Sequence, residues 1–274
     1  MKIDFKIFTL LALLFLIGCA STHTSKEHYV GLKKKLRNQD YQQMIKQIRN
    51  AKEEGYTEKE QVLYFLDLGM LYHYNKNYEQ SNELLTKAEY AIEENFTKSI
   101  SKGASSLLLN DNALAYAGED YENIYINIFK ALNYLHLDKF DDAFVEIRRV
   151  NNKLNLLEDK YKKMAENFNK NKKAKKKFKI AENEFHNSAL ARYLSMLLYK
   201  TEGKLDDARI DRNKILEAFK LQSHIYNFSP PVFLKKKRLD NDTKLYLLGF
   251  TGNSPDKKAN TLWIHTEKNT LIIA

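Results

Sequence analysis

The phrase "DKFDDA" at residues 138–143 has two relatives in the chain, "KNYEQS" at 76–81 and "GKLDDA" at 203–208. Each phrase holds a large apolar residue, then an acidic and a second polar residue, then a small one. This order is typical of a turn followed by the second helix of a helical hairpin, because the small residue lets two helices approach closely. The three phrases therefore predict three helical hairpins.

Each phrase ends in a small residue, and the preceding helix shows a pattern relative to it. A tyrosine lies nine residues before that small residue in all three hairpins, and a second small residue lies twelve before it in the first two. The third hairpin fits less well, because Met196 stands where the other two have Gly69 and Ala131. The predicted helix-packing residues are Gly69, Tyr72, Ser81, Ala131, Tyr134, Ala143, Tyr199 and Ala208. The register resembles that of the tetratricopeptide repeat, and ordinary helical-hairpin packing is the alternative.

The expected fold class is thus mainly α, a tetratricopeptide-like array of helical hairpins over residues 30–228. The phrases lie 62 and 65 residues apart, whereas contiguous repeats of this kind recur about every 34. Additional helices must fill these intervals. We expect a helix pair over residues 30–55, a short helix and a loop over 96–120, and a long helix over 153–184.

The composition changes after Pro231, where β-branched and aromatic residues become frequent. "KLYLLGFTG" at 244–252 and "TLWIHTEKNTLIIA" at 261–274 read as strands separated by turn-forming residues. We therefore predict a small antiparallel β element over residues 229–274. Trp263, the only tryptophan, is expected to be its packing centre rather than a ligand platform.

The first residues have the layout of a secretory leader. Lys2 and Lys6 precede an apolar run of about eleven residues, which is too short to span a bilayer, since a spanning helix needs roughly 20. The run ends in "LFLIGCAST" at 14–22, which resembles the lipobox of bacterial lipoproteins. The resemblance implies a signal peptide over 1–18 and lipidation of Cys19, with 19–29 as lipidated N-terminus and flexible tether.

An ordinary signal peptide with an incidental cysteine is the alternative, but Cys19 has no second cysteine to pair with. Ala20 follows the cysteine, where an aspartate would favour retention in an inner membrane. The predicted location is therefore the bacterial cell envelope, with an outer-membrane lipid anchor.

The chain carries a formal net charge of +10, with a dense lysine run over residues 170–179. Because the leader predicts export, nucleic acid is not an expected partner, and anionic lipid, cell-wall polymer or an acidic protein face is. The lysines offered as contacts to such a surface are Lys170, Lys172, Lys173, Lys175, Lys176 and Lys177. A solvated helix face is the alternative interpretation of the run.

A wider resemblance covers about a fifth of the chain. The phrases "YAGEDYE" at 116–122 and "KALNYL" at 130–135, after the pair Asn110 and Asp111, resemble a family of uncharacterised bacterial envelope lipoproteins with tetratricopeptide-like helices. Members of that family tend to be encoded near other outer-membrane lipoproteins. The resemblance implies a compartment and neighbours, and it implies no reaction.

The residue types needed for catalysis do not group in the sequence. The seven histidines are dispersed and none forms a zinc-binding pair on a helix, while Cys19 is committed to lipid. Acidic pairs such as Asp141 and Asp142 stand at helix starts, where carboxylates favour the helix dipole. We therefore expect no enzyme, no metal and no cofactor apart from the covalent lipid.

The predicted function is a membrane-anchored scaffold that binds other envelope proteins during assembly or maintenance of the envelope. In the repeat register, the groove of the array is lined by Leu66, Met70, His73, Ile128, Leu132, Leu135, Tyr193, Leu197 and Lys200. The apolar middle set is expected to be covered by another helix. The alternative function is a surface-exposed adhesin or host-interaction lipoprotein that uses its basic surface, and protease shaving of intact cells would separate the two.

Overall fold

The structure is a computed structural model that describes six ranges of residues: 29–101, 115–170, 188–231, 246–250, 264–267 and 270–273. These ranges are mainly helical, which confirms the predicted fold class at that level. With 3 prolines and 9 glycines in 274 residues, long helices can form with few interruptions. The chain divides into two compact units, residues 1–237 and 238–274.

The helices of the first unit follow one another with short connections. They are α1 (Leu32–Arg37), α2 (Tyr41–Asn50), α3 (Lys52–Gly55), a 3₁₀ turn (Glu58–Glu60), α4 (Gln61–Tyr74), α5 (Tyr78–Ser101), α6 (Asp120–His136), α7 (Phe140–Lys170), α8 (Ala189–Thr201) and α9 (Leu205–Leu221). Helix α5 continues past Phe96 as far as Ser101, so the first residues of the short helix expected over 96–120 belong to α5. Helix α7 supplies the long helix expected after Lys153 and is described as far as Lys170.

Neighbouring helices pack in pairs: α1 with α2, α4 with α5, α6 with α7, and α8 with α9. Contacts of α5 with α6 and of α7 with α8 join one pair to the next. One core cluster contains side chains from α4 to α8, with Leu85, Ile128 and Val150 among its fully buried members. A second cluster joins α1 and α2 to α4 and surrounds Ile48. Burial of these apolar side chains, each contributing about 1.5–3 kcal/mol, is the main stabilising contribution that the structure shows.

The three predicted hairpins share one turn. In the α4–α5 turn, Lys76 has φ 62° and the N–H of Asn77 donates to the carbonyl of Tyr72 at 2.9 Å. The α6–α7 and α8–α9 turns repeat this geometry with positive φ at Asp138 and Gly203. In these turns the N–H of Lys139 donates to the carbonyl of Tyr134, and the N–H of Lys204 donates to the carbonyl of Tyr199, both at 2.8 Å. A residue in the left-handed conformation, followed by an N–H that donates to the carbonyl five positions earlier, defines the Schellman motif at the end of a helix.

A fourth turn of the same kind joins α1 to α2, where Gln39 has φ 58° and Asp40 N–H donates to the carbonyl of Lys35 at 3.0 Å. The sequence carried a signal for it that we missed. "NQDYQQM" at 38–44 aligns with "NKNYEQS" at 75–81, but a methionine stands in place of the small residue. The helix pair expected over residues 30–55 is therefore built with the same turn as the three predicted hairpins.

In the second unit, β1 (Ile264–Glu267) and β2 (Thr270–Ile273) pair as antiparallel strands, with Ile264 opposite Ile273. Residues 246–250 have no regular secondary structure, so the strand predicted over "KLYLLGFTG" is wrong for those five residues. Gly249 falls inside that segment, and glycine weakens a strand interior. Trp263 lies outside the described residues.

The predicted leader, Cys19 and the tether up to His28 also lie outside the described residues. Across the described ranges, no helix combines the length and the apolar character that a bilayer crossing requires.

Candidate interaction site

The predicted helix-packing residues lie at the contacts within the hairpins. In the first hairpin, the Ser81 hydroxyl donates a 2.7 Å hydrogen bond to the Gly69 carbonyl, and Ser81 is fully buried. A Cβ added to Gly69 would lie 2.8 Å from Cδ2 of Leu85. Ala131, Ala143 and Ala208 are also fully buried. At Gly69, Leu85 of the facing helix α5 occupies the space that a larger residue would need.

The three tyrosines of the register are half-buried. Tyr72 packs against the cluster around Ile48, whereas Tyr134 and Tyr199 pack against the larger cluster. The ring of Tyr199 lies 5.0 Å from that of Phe144, which joins α8 to α7. Each tyrosine thus supplies a carbonyl to its turn and a ring to the core.

A chain of buried polar contacts connects α4, α5 and α6. The amide nitrogen of Asn133 donates to Ser81 Oγ at 2.9 Å and to Asn82 Oδ1 at 2.8 Å, and Asn133 Oδ1 lies 2.6 Å from Nδ1 of His73. Since Asn133 Oδ1 can only accept, we assign the proton to Nδ1 of His73. Burial lowers the pKa of His73 below its usual value, although the bond to Asn133 acts in the opposite direction. The ring of His73 is therefore held in a fixed orientation, and its burial favours the neutral form.

His73 is one member of a row of touching rings along the turns of the first hairpins. We name Tyr41, Tyr74, His73, Tyr78 and His136 the ring row. Tyr41 stacks on Tyr74 at 5.8 Å, His73 meets Tyr74 and Tyr78 edge-on at 5.3 and 6.0 Å, and Tyr78 stacks on His136 at 4.5 Å.

Each member of the ring row is partly or largely accessible to solvent, with Tyr74 37% exposed. The rings come from the ends of α4 and α6 and from the starts of α2 and α5, so their alignment requires the packed array. Sequence reasoning had singled out only Tyr78, as a turn residue, and His73, as a groove residue.

A second polar group lies in the core between α5, α6 and α7. The ammonium of Lys130 lies 3.2 Å from Glu89 and 3.0 Å from Glu146, and all three side chains are less than 8% exposed. The amide nitrogen of Asn127 donates to both carboxylates, at 3.1 and 2.6 Å. Lys153 lies 2.6 Å from Glu89 and also donates to Asn123. We name these six residues the buried ion cluster.

Burial disfavours the charge on Glu89, but the ammonium groups of Lys153 and Lys130 and the amide of Asn127 outweigh it and lower its pKa to about 2. Burial lowers the pKa of Lys153, and the carboxylate of Glu89 offsets part of that change. The geometry gives every carboxylate an ammonium partner, so the cluster satisfies its charges internally. Such an arrangement fixes how three helices meet, although the buried Asn127 Oδ1 has no hydrogen-bond partner among the described residues.

The phrase "YAGEDYE" proves to be a docked loop. The Tyr116 hydroxyl and the amide N–H of Glu119 both donate to the same oxygen of Glu122, at 2.5 and 2.8 Å. Asn95 donates to the carbonyl of Tyr116 at 2.9 Å. Gly118 has φ 75°, and a Cβ there would lie 2.9 Å from Ile92. The motif therefore caps α6 and fixes its approach to α5.

Near that loop, a cleft of about 610 Å³ opens beside the 3₁₀ turn. Its lining includes the rings of Tyr56, Tyr64 and Phe65 with three lysines, Lys52, Lys59 and Lys98. Lys52 lies 5.6 Å from the centre of the Tyr64 ring, and Lys98 pairs with Glu94 at 2.6 Å. The lining therefore combines aromatic rings with lysine and glutamate side chains.

The N-terminal end of the described domain is fixed by a shared carboxylate. The hydroxyls of Tyr29 and Tyr56 donate to one oxygen of Asp67, at 2.7 and 2.6 Å. Burial raises the pKa of Asp67 above its usual value, although both hydrogen bonds act to lower it. The chain therefore enters the array at a defined point on α4.

The predicted groove residues differ in accessibility. Ile128 and Leu132 are buried, while Leu135 and both outer sets are half-buried. His73, from the first set, is held by Asn133 on α6. Of the lysine run, Lys170 is exposed at the end of α7, and the other five named lysines lie outside the described residues.

The described residues contain no group of three or more histidine, cysteine, aspartate or glutamate side chains arranged to hold a metal ion. Comparisons with protein families, with curated proteins and with solved structures found no match to this chain.

Proposed function

We propose that the protein is a scaffold of the bacterial cell envelope that binds other proteins and is anchored to a membrane, in the first place the outer membrane, through lipid on Cys19. In this proposal the hairpins form a tetratricopeptide-like array, followed by a small antiparallel β element. Four Schellman turns of one geometry and the small residues Gly69, Ser81, Ala131 and Ala143 at the helix contacts support the repeat character.

The ring row is the observation that carries the binding function. Tyrosine is enriched among the residues that dominate protein interfaces, because a large rigid ring contributes contact area at low entropic cost. Here the rings are already ordered against one another, and His73 is fixed through Asn133. A partner that docks on them would therefore meet a preorganised surface.

Site-specific photocrosslinking tests this function. A photoreactive phenylalanine analogue at position 74 in the ring row is expected to form a defined adduct with an envelope protein in intact cells, and the Tyr41→Ala/Tyr78→Ala variant should lose it. The matched control carries the analogue at Leu221, which is 61% exposed at the end of α9. Equal adducts at both positions, or none at position 74, would contradict binding through the ring row.

The anchor has its own test, because it rests on the sequence alone. Mass spectrometry of the mature protein should find a modified Cys19 as the first residue, and fractionation should find the protein with outer membranes. A Cys19→Ala variant should leave the membrane fraction. An intact Met1 or a free thiol would end this part of the proposal without touching the crosslinking result.

A further inference from the structure

The helix pair α1–α2 carries a concentrated positive charge. Residues 29–50 contain one acidic residue, Asp40, and six basic ones, Lys33, Lys34, Lys35, Arg37, Lys46 and Arg49. All of the basic residues except Lys35 are exposed, and Lys35 donates to Gln47. This segment bonds to Asp67 on α4 through the hydroxyl of Tyr29, and the same carboxylate oxygen also accepts from the hydroxyl of Tyr56. The charge of this surface is thus not cancelled by its own acidic residues.

Apolar side chains are exposed among these charges. Val30 is 73% exposed and Leu36 is 46% exposed, whereas Leu32 is buried against α2. Within α1, Leu36 and Arg37 lie three and four positions after Lys33 and therefore share its side of the helix. Basic residues interspersed with exposed aliphatic ones characterise helices that lie at a membrane surface.

The position of this surface in the chain limits where it can go. Cys19 precedes Tyr29 by ten residues, and a chain of that length spans at most about 35 Å even when fully extended. Tyr29 is tied to Asp67, and α1 begins three residues later. A bilayer that holds Cys19 by its lipid is therefore always within reach of α1.

We propose that α1 and α2 bind the anionic lipid headgroups of the bilayer in which Cys19 is anchored. This inference rests on the proposed anchor and not on the ring row. Each lysine or arginine near an anionic surface contributes about 1 kcal/mol, and the contribution fades within a Debye length of roughly 8 Å at physiological salt. The contact adds a second membrane signal to the acyl chains and restrains how the array is presented.

The single cysteine of the chain makes the test clean, because lipidation of Cys19 leaves a newly introduced thiol as the one site for labelling. The lipidated full-length Leu36→Cys variant, carrying a polarity-sensitive fluorophore, is bound to vesicles of phosphatidylcholine alone or mixed with phosphatidylglycerol. On the anionic vesicles the label should shift to shorter wavelength and be quenched by brominated acyl chains, and added salt should reverse both effects. The label on a Leu221→Cys control should report solvent on both vesicles.

Charge removal supplies the second comparison. Lys33→Gln/Lys34→Gln/Arg37→Gln should reduce the ratio of membrane-bound to free α1 by about 100-fold, from three contributions of about 1 kcal/mol. A control that replaces the exposed Lys139, Lys163 and Lys220 removes the same charge from other helices and should leave the label at position 36 unchanged. Circular dichroism of both triple variants checks that they are folded.

The outcomes separate the two proposals. If the lipidated protein floats with anionic vesicles while the label at position 36 still reports solvent, the α1–α2 contact is wrong and the anchor stands. If Cys19 proves unmodified, the anchor is wrong, and flotation of the unlipidated chain then decides the surface by itself. The contact of α1 and α2 with lipid is supported if the unlipidated chain binds anionic vesicles and the α1 triple variant does not. It is overturned if the unlipidated chain does not bind, or if both triple variants bind equally.

Discussion

The hydroxyl of Ser81 donates its hydrogen bond to the carbonyl oxygen of Gly69, and these two residues fix how α5 lies against α4. The same hydroxyl accepts from Asn133, so the contact between two helices of one hairpin is also the point at which α6 attaches. The packing of the first hairpin, and the alignment of the ring row near its turn, therefore depend on a few small and polar side chains.

The first prediction concerns this contact. Gly69→Val should destabilise the fold by about 2 kcal/mol, because the added atoms enter space held by the fully buried Leu85 and overpacking of this kind costs roughly 1–3 kcal/mol. Urea unfolding followed by circular dichroism measures the change. Tyr90→Val on the exposed face of α5 should alter stability by about 0.5 kcal/mol or less. Equal losses in the two variants would mean that the close approach at Gly69 is unimportant.

The second prediction concerns the buried ion cluster. Lys130→Met should cost about 3 kcal/mol, because it leaves the buried Glu146 with only the half-exposed Arg149, at 4.0 Å, as a cation among the described residues, while Glu89 keeps Lys153. Lys98→Met removes a pair whose side chains are 60% and 63% exposed and should cost less than about 1 kcal/mol. Denaturant titration of both variants at neutral pH makes the comparison. A small loss in Lys130→Met would show that the cluster contributes little to the fold.

The third prediction follows from the low pKa of Glu89. The folded-state pKa of about 2 lies below the ordinary value of 4.5, so the charged carboxylate stabilises the fold above that ordinary value. This contribution, about 3 kcal/mol, is lost as the pH falls from about 4.5 towards 2. Unfolding free energies measured across that range should fall more steeply for the wild type than for Glu89→Gln. Parallel pH curves for the two proteins would contradict the charged, paired state of Glu89.

The fourth prediction concerns the shared turn. Gln39, Lys76 and Asp138 occupy left-handed conformations that cost an ordinary residue about 1 kcal/mol, whereas Gly203 occupies the equivalent position without that cost. Lys76→Gly and Gln39→Gly should each raise the free energy of unfolding by about 0.5–1 kcal/mol. Gly203→Ala should lower it by about 1 kcal/mol, since no atom lies within 4 Å of the added Cβ and the backbone alone decides the change. The same sign for glycine insertion and glycine removal would refute an equivalent turn.

The turns could be recognised in the sequence because they are local. A large apolar residue, two polar residues and a small residue within six positions are enough to specify a helix end and the next helix start. The fourth copy is a weaker signal because Met44 replaces the small residue. The buried ion cluster had a weaker signal, since Asn127, Lys130 and Asn133 interrupt the mostly apolar stretch "IYINIFKALNYL" at 124–135. Their partners on α5 and α7 could not be read from it.

The sequence by itself determined that the described body is helical and where its hairpins turn, because helix ends and close helix contacts depend on residues near one another in the chain. Only the tertiary structure decided which distant side chains meet. The ring row draws on four helices, and Lys130 finds Glu89 forty-one positions away, contacts that exist only once the hairpins have packed. Residues close together in the chain determine where each helix begins and ends, and the packing of the helices against one another brings the ring row and the buried ion cluster together.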